Sequence, residues 1–152
     1  MKSISASWFE VAIRYSKPQE DGTDKMVTER YGVDALSFTE AESRIVGEME
    51  ANITGEFKIT SESQANYNEV VFSDDSEDEY WFRCKLQFVT INESNGKEKY
   101  SNVNYLVQAK SVAKALSNMT EIMRGTMTDY KVVSISATKL IDVFEYKTKE
   151  KK

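Results

Sequence analysis

Trp8-Phe9-Glu10-Val11-Ala12-Ile13-Arg14-Tyr15 returns later in the chain as Trp81-Phe82-Arg83-Cys84-Lys85-Leu86-Gln87-Phe88, an offset of 73 (81 − 8). In the first stretch Phe9, Val11, Ile13 and Tyr15 alternate with Trp8, Glu10, Ala12 and Arg14. In the second, Phe82, Cys84, Leu86 and Phe88 alternate with Trp81, Arg83, Lys85 and Gln87. A period of two predicts a strand with one buried face. On this pattern Phe9 and Phe82 point inward, and Trp8 and Trp81 share the outward, polar parity.

The correspondence continues outward from these strands. Asp21-Gly22 answers to Asn95-Gly96, here with an offset of 74 (96 − 22), and both pairs suit a tight hairpin turn. Return strands follow, with Val27, Glu29, Tyr31, Val33 and Ala35 on one face in the first copy and Val103, Tyr105, Val107 and Ala109 in the second. Ser37 and Glu40 form a capping box at a helix start, and Phe38, Ala41, Ile45, Met49 and Ile53 recur at helical spacing behind it. The second helix starts near Ser111 and places Val112, Ala115, Leu116, Met119, Ile122 and Met123 on its apolar stripe. It lacks the box, because Lys114 stands where the first copy has Glu40. Gly55 and Gly125 are expected to stop the two helices.

A strand closes each copy, over 57–63 and 130–137, and a further short strand is expected over 69–72 and 140–146. The unit is therefore ββαβ(β), written twice, and the reading is an internal duplication. The fold class expected is α+β, mostly antiparallel sheet with two helices packed on it. The chain is expected to form a single domain, 1–152, of two repeats at about 8–72 and 81–146. An acidic link, 73–79, joins the repeats, and a basic tail occupies 147–152. Packing the copies about an approximate dyad would enlarge the shared core and hide edge strands. Whether the sheet is continuous, split or barrel-like stays open at this point.

Composition narrows the chemistry. With 40% hydrophobic residues the chain can bury a core, which argues against wholesale disorder. It has no His, which removes the commonest general base and metal ligand, and Cys84 is its single cysteine. Cys84 lies on the buried parity of its strand, so a core residue is expected rather than a nucleophile. The six glycines form neither a P-loop nor a dinucleotide fingerprint. No catalytic residue, metal ligand or cofactor is therefore assigned, and the balance leans against an enzyme. Carboxylate, hydroxyl or lysine catalysis has no positive support. Asp74, Asp75, Glu77, Asp78 and Glu79 supply hard oxygens for calcium, but without the ligand alternation and central glycine of an EF-hand loop; a solvated linker is the expectation. No apolar stretch opens the chain and none approaches bilayer length, so a cytoplasmic protein with no membrane contact is expected.

The net charge of −5 is unevenly spread. Residues 1–79 carry 7 Lys and Arg against 18 Asp and Glu, a net of −11, and residues 80–152 carry 13 against 7, a net of +6. Opposite charge on two like copies suits attraction between them or between subunits, and it also suits an anionic partner for the second copy. Trp8 and Trp81 either cover core edges, which is the favoured reading, or stack a base or a partner's side chain. The candidate binding residues are accordingly Trp8, Trp81, Arg83, Lys85, Lys97, Lys99 and Lys131.

Trp8-Phe9, the run Val33-Asp34-Ala35-Leu36-Ser37-Phe38-Thr39-Glu40-Ala41-Glu42, Gly55-Glu56-Phe57, and Gly125-Thr126-Met127-Thr128-Asp129-Tyr130 carry a resemblance. Through these segments the chain resembles a family of small proteins from Bacteroidota and some of their phages, known only as a domain of unknown function. The likeness runs from about Trp8 to Tyr146. It implies a bacterial or phage origin and an intracellular setting, and brings no catalytic residue or ligand with it. The leading expectation is a non-enzymatic binding or assembly module acting through protein contacts, with a homodimer as one form. The alternative is a binder of nucleic acid, a nucleotide or a small anionic ligand through the basic second repeat.

Overall fold

The computed structural model describes residues 1–146, so the basic tail at 147–152 lies outside the described residues. The elements in chain order are β1 (Lys2–Ile4), β2 (Trp8–Pro18), β3 (Asp24–Asp34), α1 (Phe38–Asn52), β4 (Phe57–Ala65), β5 (Glu69–Phe72), β6 (Tyr80–Ile91), β7 (Glu98–Ala109), α2 (Val112–Met123), β8 (Asp129–Ala137) and β9 (Leu140–Phe144). The fold is α+β, with mostly antiparallel strands in two sheets. The open choice among sheet forms resolves as a five-stranded sheet, β1-β5-β7-β6-β8, and a four-stranded sheet, β4-β2-β3-β9.

The four-stranded unit comprises residues 6–65 and 139 onward. Its centre is the β2–β3 hairpin, antiparallel from Trp8↔Asp34 to Pro18↔Asp24. Gly22 closes the turn at φ 87, a left-handed conformation that L side chains rarely adopt. Phe9, Val11, Ile13, Tyr31, Val33 and Ala35 form the core with Ala41, Ile45 and Met49 of α1. The helix begins where expected: Glu40 N–H donates to Ser37 Oγ at 3.1 Å. The reciprocal half of the box is shifted by one residue, since Glu40 Oε1 accepts from Leu36 N–H at 3.0 Å.

The five-stranded unit comprises residues 1–5 and 66–138. Its β6–β7 hairpin pairs from Tyr80↔Ala109 to Ile91↔Glu98, and Gly96 takes φ 69 at the turn. Phe82, Cys84, Leu86, Tyr105, Val107 and Ala109 pack with Val71 and with Ala115, Met119 and Met123 of α2. Ser111 Oγ accepts from Lys114 N–H at 3.1 Å, so the second helix is capped by its serine without a box. Bulges interrupt β2/β4 at Ala12/Ile13 and β6/β8 at Lys85/Leu86, positions 73 apart.

Two expectations are corrected here. Trp8 and Trp81 are not outward side chains: each is 2% exposed. Both β2 and β6 are interior strands, and on the tryptophan parity Ala12 of β2 and Leu106 of the neighbouring β7 are buried as well, although Arg83 of β6 is exposed. Alternation marks only one buried face, so the second was missed. Val112 and Leu116 are the other correction. The buried side of α2 is Ala115, Asn118, Met119 and Met123, and Leu116, about 100° round from Ala115, falls on the outer flank.

The short strands do not stay with their own halves of the sequence. β5 pairs in parallel with β7, from Glu69↔Tyr105 to Val71↔Val107. β9 pairs in parallel with β3, including Tyr31↔Asp142 and Val33↔Phe144. Each unit is thus completed by the last strand of the other half of the sequence. β1, which the sequence pattern did not announce, lies on the outer side of β5.

Candidate functional site

The acidic link folds onto the start of α2. Asp78 is buried, and its Oδ2 accepts from Lys114 Nζ at 3.1 Å and Asn118 Nδ2 at 3.3 Å. Ser73 Oγ also donates to it, and Lys110 N–H donates to Oδ1 at 3.0 Å. Lys114 Nζ meets Asp75 at 3.1 Å, Lys110 Nζ meets Glu77 at 3.3 Å, and the Met1 ammonium pairs with Asp74. Burial alone would raise the Asp78 carboxyl, but the hydrogen bonds from Ser73, Lys114 and Asn118 outweigh it and hold it below its ordinary value. This is a structural anchor in place of the expected solvated linker. Among the described residues no group of three or more His, Cys, Asp or Glu could hold a metal ion.

The sequence missed this network. Two signals carried it: Lys114 in the place of Glu40, opposite an acidic run, and Asn118 interrupting the apolar stripe beside Met119.

The four-stranded unit has a counterpart built from other residue types. Arg44 Nη1 donates to the Asp34 carbonyl at 2.5 Å, and Asp34 Oδ1 accepts from Tyr146 N–H at 2.6 Å. In the five-stranded unit Asn118 Nδ2 donates to the Gln108 carbonyl at 2.9 Å, and Gln108 Oε1 accepts from Ser73 N–H at 2.9 Å. Residues 34, 44 and 146 correspond to 108, 118 and 73 by the same offsets of 74 and 73. Around Asp34 the site is charged: Arg44 also meets Glu40 at 3.2 Å and lies 4.9 Å over the Tyr146 ring, whose hydroxyl donates to Glu48.

The ladder brings part of the predicted binding set together. Arg83 pairs with Leu106 and Ser136, Lys85 with Asn104 and Ser134, and Gln87 with Asn102 and Lys131. Cross-strand partners share a face, so Arg83, Lys85 and Lys131 stand on one face of the five-stranded sheet with Gln87, Asn102 and Asn104. Lys99 pairs with Thr90 on the opposite parity, and Lys97 sits in the β6–β7 turn. Trp81 shares the parity of Arg83 but is buried, edge-on to Phe72 with ring centroids 5.3 Å apart. Trp8 is buried at the start of β2. Arg83 Nη2 donates to the Tyr67 hydroxyl at 3.4 Å, and its guanidinium lies 5.8 Å from that ring. Cys84 is buried and its thiol pushed up to about 12 by loss of solvation, which leaves it protonated and poorly nucleophilic.

Folding also redistributes charge. The five-stranded unit takes in the acidic link and carries 9 Lys and Arg against 10 Asp and Glu, a net of −1. Residues 6–65 and 139–146 carry 7 against 14, a net of −7. The opposite signs of the two sequence halves do not carry over to the two folded units.

Among the described residues no helix is long and apolar enough to cross a membrane. A family model described as Domain of unknown function (DUF4494) matches residues 7–146. No curated protein and no solved structure matches the chain.

Proposed function

We propose, for a chain that belongs to this family of unknown function, a non-enzymatic binding or assembly module. It acts through protein contacts, in the cytoplasm of a bacterial or phage-infected cell, and a second copy of itself is one candidate partner. The observation that carries this reading is on α2. Val112 and Leu116 stand one turn apart on its outer flank, 51% and 45% exposed. A partner covering that exposed surface would gain on the order of 1–3 kcal/mol from the pair, a useful centre for a larger contact. We further propose that the two copies descend from one ββαββ unit by duplication. The matched bulges and the matched hydrogen bonds at 34/108, 44/118 and 146/73 support that descent.

A second reading, binding of nucleic acid, a nucleotide or a small anion, is favoured by one observation: the shared face of Arg83, Lys85 and Lys131. Native mass spectrometry of the full chain purified from its own cells separates the two. The protein-contact reading expects added mass equal to whole subunits, lost in Leu116→Glu with an unchanged melting temperature. Added mass equal to a nucleotide or oligonucleotide, lost in Lys85→Glu, would replace it with the second reading. A bare monomer would count against both.

A further inference from the structure

The topology has a consequence for how the two sequence copies are held. Cutting the acidic link would leave an N-terminal piece with β1 to β5 and a C-terminal piece with β6 to β9. Neither piece contains a complete unit. The five-stranded unit takes β1 and β5 from the first piece, and the four-stranded unit takes β9 from the second.

The captured strands are built in rather than laid on. Val70 and Val71 of β5 and Leu140 and Val143 of β9 are buried, and Phe144 stacks on Tyr31 with centroids 5.7 Å apart. Both strands run parallel to their hosts, so the short connections have to carry the chain across rather than turn it back. Past the end of each strand the chain is latched by one hydrogen bond of the same design. Ser73 N–H meets the Gln108 side chain and Tyr146 N–H meets the Asp34 side chain. Gly32 completes the fit on β3, since a Cβ there would lie 3.2 Å from Val143 Cγ2.

We infer that the outer edges of β3 and β7 are strand-capture sites, each filled by the last strand of the other sequence copy. The chain is then a covalently fused, strand-exchanged pair, and its two copies stay together without the peptide link between them. This inference is independent of any external partner.

The test uses the full chain with a protease recognition sequence inserted between Ser76 and Glu77, in the exposed part of the link. A second version carries it between Asp74 and Asp75, should the first insertion disturb the Asp78 anchor. The uncut protein serves as the folding control. After cutting, the two pieces are expected to elute as one particle of unchanged size. The melting temperature should become dependent on protein concentration, as it must when unfolding also separates two chains. In the cut form Val143→Asp should weaken the association by about tenfold or more, whereas Glu93→Lys in the exposed β6–β7 turn leaves it unchanged. Pieces that elute apart overturn the inference. So does an association that Val143→Asp leaves untouched.

Discussion

Asp78→Asn keeps the shape of one side chain and removes the charge that Lys114 Nζ meets at 3.1 Å. A carboxylate held below its ordinary value in the folded state adds stability above its unfolded pKa of about 3.9, and that stability is lost as pH falls through the folded value. The substitution is therefore expected to cost about 1–3 kcal/mol near neutral pH. Its deficit should shrink toward zero as pH falls below about 4, where the parent carboxylate also takes up a proton. Denaturant titrations at neutral and acid pH check both halves, and a deficit unchanged in acid would show that the charge of Asp78 is not what Lys114 and Asn118 hold. At this scale the sequence was half legible. Ser37 and Ser111 announced themselves as caps, because a hydroxyl before an apolar periodic run has one evident use. Asp78 did not, because apart from Ser73 its partners come from 32 to 40 residues away. Nor did the tryptophans, whose burial depends on a second covered sheet face that alternation does not encode.

Elements were more legible than their neighbours. Hairpins, helices and closing strands follow from local periodicity and turn residues, and each forms where that pattern puts it. Strand partners outside the hairpins are another matter. β5 has four residues and β9 five, and nothing in Glu69-Val70-Val71-Phe72 says which sheet edge it joins. That choice is made by shape, and Gly32 records it. A methyl group at Gly32 would meet Val143 Cγ2 and Cγ1 at 3.2 and 3.3 Å. Gly32→Ala is expected to destabilise the protein by about 1–3 kcal/mol through overpacking against β9. Combined with Val143→Ala it should cost clearly less than the two single substitutions added together, because trimming Val143 makes the room that the new methyl needs. Strictly additive costs in a denaturant double-mutant cycle would place the strain of Gly32→Ala somewhere other than β9.

For the molecule as a whole, the charge map decides between two kinds of self-association. Counted along the sequence, a strongly acidic half precedes a basic one, and two chains should attract head to tail. Counted by folded unit, the acidic link neutralises the basic copy, leaving −1 in one unit and −7 over the described residues of the other. The tail at 147–152 adds four Lys and one Glu, too few to reverse the sign of the protein. Like-charged molecules repel at low ionic strength, and salt shortens that repulsion to about 3 Å at 1 M. Contacts through Val112 and Leu116, in contrast, gain from the removal of apolar surface and do not weaken as charges are screened. Any homodimer is therefore expected to hold or tighten as salt is raised from about 20 to about 500 mM, read by sedimentation velocity across a concentration series. Dissociation over that range would return the weight to charged patches, with the Arg83–Lys85–Lys131 face as the first place to substitute.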